Sequence, residues 1–266
     1  MPDLIHALEE NDRYLLLAPN ALLISKSVPV PGVIPALYAL NDGAERERFE
    51  NTDSAQPVIE FAGRVCYHAF GCKNANTDSA EGYIFNILDQ KHLSVLEHSS
   101  FTFYLTGISR ADSHEIVRHR HFSFSQKSQR YVLEKTPYEI SVHPAIYEAH
   151  SGDELDVFAD EIAQGFDKAK ETYDNFRILG LTHKEASEAA RQYIPNAAAV
   201  DMVVSGNARS WMEFISKRNH EAADRSLDYL AGQVWSILRK ELPEVFSIEA
   251  RQIWDEQFAQ GKPKDS

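Results

Sequence analysis

Along this chain apolar residues recur at helical spacing in some stretches and alternate with polar ones in others, and the changes of pattern mark out a series of short elements. Residues 1–20 open with acids mixed among apolar side chains (MPDLIHALEENDRYLLL), which predicts an N-terminal extension with some helical character. Residues 21–30 (ALLISKSVPV) read as a strand running into a proline-broken loop, and 44–53 is charged and predicted to be exposed. Val58, Phe61, Val65 and Tyr67 fall at helical spacing and predict a helix over 56–70 that includes Cys66. A loop over 71–78 follows, and Ser79 is placed to cap a helix running to about Gln90.

Residues 99–106 alternate polar with aromatic or aliphatic side chains, as a half-buried strand does, and Gly107 is expected to break it. Ser109 or Asp112 then caps a helix reaching about His119, with Arg110, His114 and Arg118 on one face. Residues 137–147, with Pro137 and Pro144, read as irregular. A long amphipathic helix is predicted over 152–179, acidic at its start as the helix dipole favours. Thr182 and Glu185 have capping-box spacing for another helix, which carries Lys184, Glu188 and Arg191 on one face and is ended by Pro195. Residues 198–205 read as a strand, Gly206-Asn207 as a turn, and 208–218 and 222–241 as helices. The expected fold class is α+β: a small β-sheet flanked by several helices, with one long helical segment in the second half. No repeat, low-complexity tract or linker divides it, so 21–258 reads as a single domain between the extension and a polar tail at 259–266.

With 266 residues and 43% hydrophobic content the chain can bury a sizeable core. A net charge of −13 and a pI near 5.3 argue against a general surface for nucleic acid or anionic membrane. The two cysteines, Cys66 and Cys72, form no disulfide framework and fit a reducing cytosol. The N-terminus lacks the basic start and apolar core of a signal peptide, and no apolar run is long enough to span a bilayer. A cytoplasmic location is expected.

Against this acidic background, 118–131 (RHRHFSFSQKSQRY) stands out with four basic side chains, two histidines, three serines and two glutamines. Arg110, Arg118, Arg120, Lys127 and Arg130 face only Asp112 and Glu115 as acids in that region. Fixed guanidinium charges at this density repel unless an anion sits among them, which suggests a specific phosphate site. His114, His119 and His121 could ligate a metal, but neighbouring arginines oppose a cation and carboxylate partners at ligand spacing are missing, so no metal is expected. GxSxG, GxGxxG and GxxxxGK[ST] patterns are absent. Cys66 lies on a predicted core helix and is expected to be buried as a small hydrophobe. A second polar group comprises Arg191, Asn196, Asn207, Arg209 and Arg218, which alone would read as ordinary helix surface.

Arg118-His119-Arg120, seven residues, then Ser128-Gln129-Arg130 form an RHR-x7-SxR pattern that resembles the signature of flavin-dependent thymidylate synthases. The resemblance extends to FAGRVCY at 61–67, HLSVLEH at 92–98, FTFYLTGISR, AARQYIPN at 189–196 and VVSGNARSW through Arg218. It implies a homotetramer holding FAD and deoxyuridylate (dUMP) at subunit contacts, with NADPH and methylenetetrahydrofolate as co-substrates in making thymidylate. Carried over by motif position, Ser94, Arg118, His119, Arg120, Gln126, Asn207, Ala208 and Arg209 are implied flavin contacts. Glu115, Ile116, Val117, Arg118, Gln126, Lys127, Ser128, Gln129, Arg130, Arg191 and Arg218 are implied dUMP contacts, with Arg218 catalytic at the pyrimidine. Arg110 and Lys184 are further phosphate candidates, and His92 lies in the stretch implied to be near the folate. Glu213 departs from the pattern, standing where some members have a flavin-contacting His. The implied partners are small molecules, with neither nucleic acid nor membrane among them. Two alternatives stay open: a flavoprotein of the same fold with another substrate, and an RNA-binding module built on the arginine-rich stretch.

Overall fold

The computed structural model describes residues 7–41, 49, 53–71, 77–129 and 136–258. It is an α+β structure with two sheets among those residues. Strands β1 (Ala7–Glu10), β2 (Tyr14–Leu17) and β6 (Tyr138–Ser141) form one, ordered β1-β2-β6, with β1 antiparallel and β6 parallel to β2. Strands β3 (Asn20–Lys26), β4 (Ser100–Ser109), β7 (Ala199–Asn207) and β5 (Ser123–Gln126) form the other, ordered β3-β4-β7-β5.

Contacts divide the chain into two compact units. The first comprises Met1–Leu22, Tyr104–Val204 and Asp224–Leu230; the second comprises Leu23–Phe103, Ser205–Ala223 and Ala231–Ser266. The first unit is organised by α6 (Asp153–Ile178), whose Leu155, Ala159, Ala163, Phe166 and Ala169 recur at helical spacing and are buried. All but Ala169 pack with Tyr14, Leu16, Tyr138 and Ile140 in one apolar cluster, where Phe166 stacks on Tyr138 at 4.7 Å and 11°. Arg13 ties β2 to the acidic side of α6 through Asp160 (2.6 Å) and Asp167 (2.9 Å). Tyr14 bonds Asp156 and Tyr138 donates to Asp167. The N-terminal segment is therefore stranded where helical character was expected. Tyr14, Leu16 and Leu17 turn buried side chains into the sheet at a spacing too short to be told from a helix in the sequence.

Gly107 does not break β4, which continues to Ser109. It adopts φ +65° at a point where a Cβ would lie 2.3 Å from the Ala18 carbonyl oxygen, so only glycine lets the strand pass. The segment expected to be irregular before Tyr147 contains β6 and the short helix α5 (Pro144–Tyr147), because Pro137 precedes the strand and Pro144 starts the helix, two places proline tolerates.

The second unit packs α1 (Val33–Leu40), α2 (Gln56–Tyr67), α3 (Ala80–Asp89), α8 (Ala208–Arg218), α10 (Pro243–Phe246) and α11 (Ile248–Phe258). Its core holds Phe101, Phe103, Trp211, Phe246 and Trp254; Phe103 meets Trp211 edge-on at 4.8 Å, and the Trp211 indole donates to the Phe101 carbonyl. Ser79 caps α3, accepting from Gly82 N as its sequence position suggests. Helix α9 (Arg225–Glu241) starts later than expected, after the 220–224 turn. Of the charged stretch 44–53 only Phe49, buried, and the exposed Asp53 are described, and the tail at 259–266 lies outside the described residues. No helix among the described residues is long and apolar enough to cross a membrane.

Candidate functional site

In the first unit the central motif follows α4 (Arg110–Ile116). Ser109 caps this helix reciprocally with Asp112, and Ser226 also donates to the Asp112 carboxylate. One of the two acids that faced the basic island is thus consumed as a cap. Burial pushes the Asp112 carboxyl up from the ordinary carboxylate range, against the opposing pull of these hydrogen bonds. The helix stops at Ile116, so Arg118 lies beyond the face it was expected to share with Arg110 and His114. Ile116 puts its side chain in the core, while Val117 and Arg118 are exposed and Glu115 is half-buried. Turn bonds from Arg118 N to the Glu115 carbonyl and from His119 N to the Ile116 carbonyl carry the chain on to the buried Phe122. Arg120 is exposed and His119 half-buried, its ring 6.0 Å from that of Phe122.

The Ser/Gln-rich part of the motif is in part strand β5. Its end is fixed by two bonds: Gln126 Nε2 donates to Ser113 Oγ at 3.0 Å, and Lys127 N to the Asp201 carbonyl at 3.1 Å. Lys127 Nζ is neutralised by Glu139 of β6 at 2.9 Å, so the basic island is less positive than its sequence suggests. Ser128 is exposed, and Arg130 lies outside the described residues. Gln129 is 8% exposed, and its amide nitrogen is buried with no hydrogen-bond partner among the described residues. A donor so placed costs about 1–3 kcal/mol unless something accepts from it. It borders a cavity of about 50 Å³ that is also lined by Arg191, the first residue of the 3₁₀ turn Arg191–Tyr193 after α7 (His183–Ala190). Two residues of α6 that in sequence look like ordinary amphipathic helix, Lys170 and Tyr173, line the same cavity. A signal for them is present: with Phe166 they continue one helical face at i, i+4 and i+7. Arg110, half-buried, and Lys184, exposed on α7, line neither this cavity nor the larger one described next.

In the second unit a cavity of about 800 Å³ is lined by Ser94, Arg209, His92, Lys91, Tyr67 and Cys66, among others. Ser94 is presented by the 3₁₀ segment Leu93–His98; Arg209 sits in the first turn of α8 and pairs with Glu97 at 2.6 Å. Asn207 belongs to β7 and caps α8, its Oδ1 accepting from the Ser210 N–H and hydroxyl, where a turn had been expected. The cap uses only the carbonyl side of that amide, so its NH2 donors take no part in it. Ala208 is buried and its N–H already donates to the Ser99 carbonyl. Tyr67 and His92 lie with rings 5.7 Å apart and 19° from parallel at the cavity wall. Cys66 is exposed, correcting its expected burial: the last turn of α2 borders the cavity, and no described element covers it there. Glu213 is paired with Lys217 one turn further along α8. Arg218 ends α8, half-buried. At 1.5 Å per residue, 11 residues place Arg218 about 16 Å from Asn207, at the opposite end of one helix. Among the described residues no group of three or more His, Cys, Asp or Glu could hold a metal ion.

Residues 49–244 match the family model of the thymidylate synthase complementing protein. The flavin-dependent thymidylate synthase of Mycobacterium tuberculosis (strain H37Rv) is 38% identical over 208 residues, covering 74% of this chain and 80% of that protein. The enzyme of the same name from Mycolicibacterium vanbaalenii is 38% identical over 204 residues, with the same coverage. In fold, the chain is similar to thymidylate synthase X from Helicobacter pylori, solved with FAD and dUMP (TM-score 0.57, 19% identity, covering 88% of this chain and 99% of that one). It is also similar to the UMP/dUMP methylase PolB from Streptomyces cacaoi (TM-score 0.60, 19% identity, covering 92% and 96–97% of the two chains in its two structures). These matches define an enzyme of the methyltransferase class that works through a flavin. The chain belongs to the flavin-dependent thymidylate synthase family.

Proposed function

We propose that the protein reductively methylates dUMP to dTMP, taking the one-carbon unit from 5,10-methylenetetrahydrofolate and reducing equivalents from NADPH through bound FAD. The observation that carries this reading is the orphaned amide of Gln129, buried beside Arg191 at a cavity without acidic lining. That donor set suits the oxygens of a nucleotide phosphate. Support for the nucleotide and the cofactor comes from the family membership and from the FAD and dUMP of the Helicobacter enzyme.

The residues present fit FAD: the 800 Å³ cavity is of cofactor size, and Ser94 and Arg209 line it with hydroxyl and guanidinium donors. Asn207, Ala208 and Arg209 at the start of α8 would hold it from one side. Arg118, His119, Arg120 and Gln126 would hold it from another chain of a homotetramer. Hydride transfer between NADPH and the one-carbon unit is the chemistry a bound FAD supplies. The protein's own work is to hold dUMP through Gln126, Lys127, Ser128, Gln129, Arg130 and Arg191. Glu115, Ile116 and Val117 would line the nucleotide, with Ile116 contributing backbone only. Arg218 stabilises negative charge growing on the pyrimidine as its carbon attacks the one-carbon unit. His92, at the wall of the large cavity, whose lining holds no acid, would face the folate. The cytosol supplies NADPH and keeps the exposed Cys66 reduced.

The test is direct. FAD-loaded protein reduced with NADPH is expected to reoxidise anaerobically only when dUMP and methylenetetrahydrofolate are both added, with dTMP formed. Protein that takes up no FAD sinks the cofactor assignment; FAD-loaded protein that makes no dTMP sinks the substrate assignment.

A thiolate adding to the pyrimidine is the other chemical route to activate its carbon, and it needs a cysteine in an electropositive, accessible place. Cys66 is accessible, but its sulfur only bonds weakly to the Ala62 carbonyl and no cysteine lies in 118–131. The Cys66→Ala, Cys72→Ser protein is expected to form dTMP within about tenfold of the parent rate. Loss of product with flavin still bound would establish a thiol nucleophile.

A further inference from the structure

The 50 Å³ cavity of the first unit has features that the motif residues do not account for. It has room for a small group of a few heavy atoms, not for a nucleoside. Its polar lining is Gln129, Arg191, Lys170, Tyr173 and Ser187, with no acid among the lining residues. Gln129 Nε2 is a buried donor with no acceptor among the described residues. Ser187 Oγ donates to the His183 carbonyl at 2.8 Å and Tyr173 Oη is bonded to His183 Nδ1 at 2.8 Å, so both are held in place at the cavity wall. Lys168, two residues before Lys170 on α6, is paired with Glu171 at 2.9 Å. Among the described residues neither Lys170 nor Arg191 has an ion-pair partner, although α6 is rich in acids. Two cations and an unsatisfied amide donor converging on a cavity of this size describe a receptor for one dianionic group.

We propose that Lys170 is a substrate-binding residue, whose ammonium joins Arg191 and the Gln129 amide on the 5′-phosphate of the nucleotide. This pocket then distinguishes dUMP from deoxyuridine, a discrimination the pyrimidine contacts cannot make. The inference rests on the assignment of dUMP as substrate and adds to it a residue on α6, outside the RHR-x7-SxR pattern. Lysine acts here as a point charge on a flexible stem, so an exposed position at the cavity mouth suits it better than a buried one.

The experiment is titration calorimetry on the full-length, FAD-loaded protein with dUMP and with deoxyuridine. Lys170→Ala is expected to weaken dUMP binding about tenfold, the low end for a charge-assisted bond at an exposed side chain. Deoxyuridine binding is expected to stay within about twofold, and Lys170→Arg to recover most of the dUMP affinity. In turnover the loss belongs in KM. An unchanged dUMP affinity in Lys170→Ala overturns the proposal, and so does an equal loss for both ligands. A parent protein that binds no dUMP instead sinks the substrate assignment itself. Acylation of lysines in the parent protein, read by mass spectrometry, repeats the test without a variant: dUMP must protect Lys170 and deoxyuridine must not. Equal labelling with either ligand overturns it.

Discussion

Replacing Arg218 with alanine is expected to lower dTMP formation at saturating substrates by about two orders of magnitude or more, the usual cost of removing a donor aimed at charge that develops in the transition state. The surrounding structure makes that loss chemical and not architectural. Arg218 ends α8, and the helix is anchored before it: Trp211, Met212, Phe214 and Ile215 are buried, and Ser216 Oγ donates to the Asp255 carbonyl. Just beyond, Arg251 donates to both the Asn219 side chain (2.7 Å) and its carbonyl (3.0 Å). The backbone on both sides of Arg218 is therefore held by neighbouring residues. Among the local contributions the alanine variant gives up is that of a cation at a helix C-terminus, worth about 0.3–1 kcal/mol at a half-exposed site. The variant should fold, melt within a few degrees of the parent and retain flavin, because the proposed flavin contacts Asn207 and Arg209 lie at the other end of α8. Arg218→Lys keeps the charge and loses the fork, so partial recovery in that variant would locate the effect in electrostatics. Near-normal kcat in the alanine variant would reject the role.

How much of this is legible in the sequence depends on the range of the interaction. Caps are local, and their residues stand where the pattern puts them: Ser79 on α3, Ser109 with Asp112 on α4, Thr182 with Glu185 on α7. The bounds of α6 and α8 follow from patterns contained within each helix. What failed depended on partners distant in sequence. β6 is a strand because β2, more than a hundred residues earlier, pairs with it, and Gly107 needs its positive φ because Ala18 passes there. The motif itself is visible as a string of donors, yet its electrostatics are not. Lys127 is paired with Glu139 of β6, and Asp112 is spent on a cap. The residues of α6 at the small cavity, Lys170 and Tyr173, carry no motif at all. Their role is decided by which elements close around them.

Helix α2 shows the same point energetically and carries the second large expectation. Its apolar positions Val58, Phe61, Val65 and Tyr67 suggested the buried face, but Val65 and Tyr67 are exposed while Ile59, Glu60, Gly63 and Arg64 are buried. The face is rotated because two charges one turn apart satisfy each other inside. Arg64 bonds Glu60 Oε1 through Nε and Nη2, both at 2.8 Å, and Gln56 donates to Glu60 Oε2 at 2.8 Å. The guanidinium also donates to the Ala69 and Thr77 carbonyls and lies 4.4 Å from the centre of the Tyr83 ring. Gly63 lets that ring approach, since a Cβ there would meet Tyr83 Oη at 2.6 Å. Glu60 is fully buried and Arg64 nearly so, so solvent cannot compensate either charge. Glu60→Leu should therefore cost about 3–5 kcal/mol, the penalty for breaking a buried pair from one side. For a chain of this size that is a fall in Tm of about 6–20 °C. The Glu60→Leu, Arg64→Met double variant should recover most of it, because removing both charges also removes their desolvation cost. Arg64 lines the large cavity too, so the single variant should lose flavin affinity along with stability, while the double variant separates the two. Thermal melts of the three proteins with and without FAD decide the matter: a single variant melting within about 2 °C of the parent would mean that the pair contributes little to the fold.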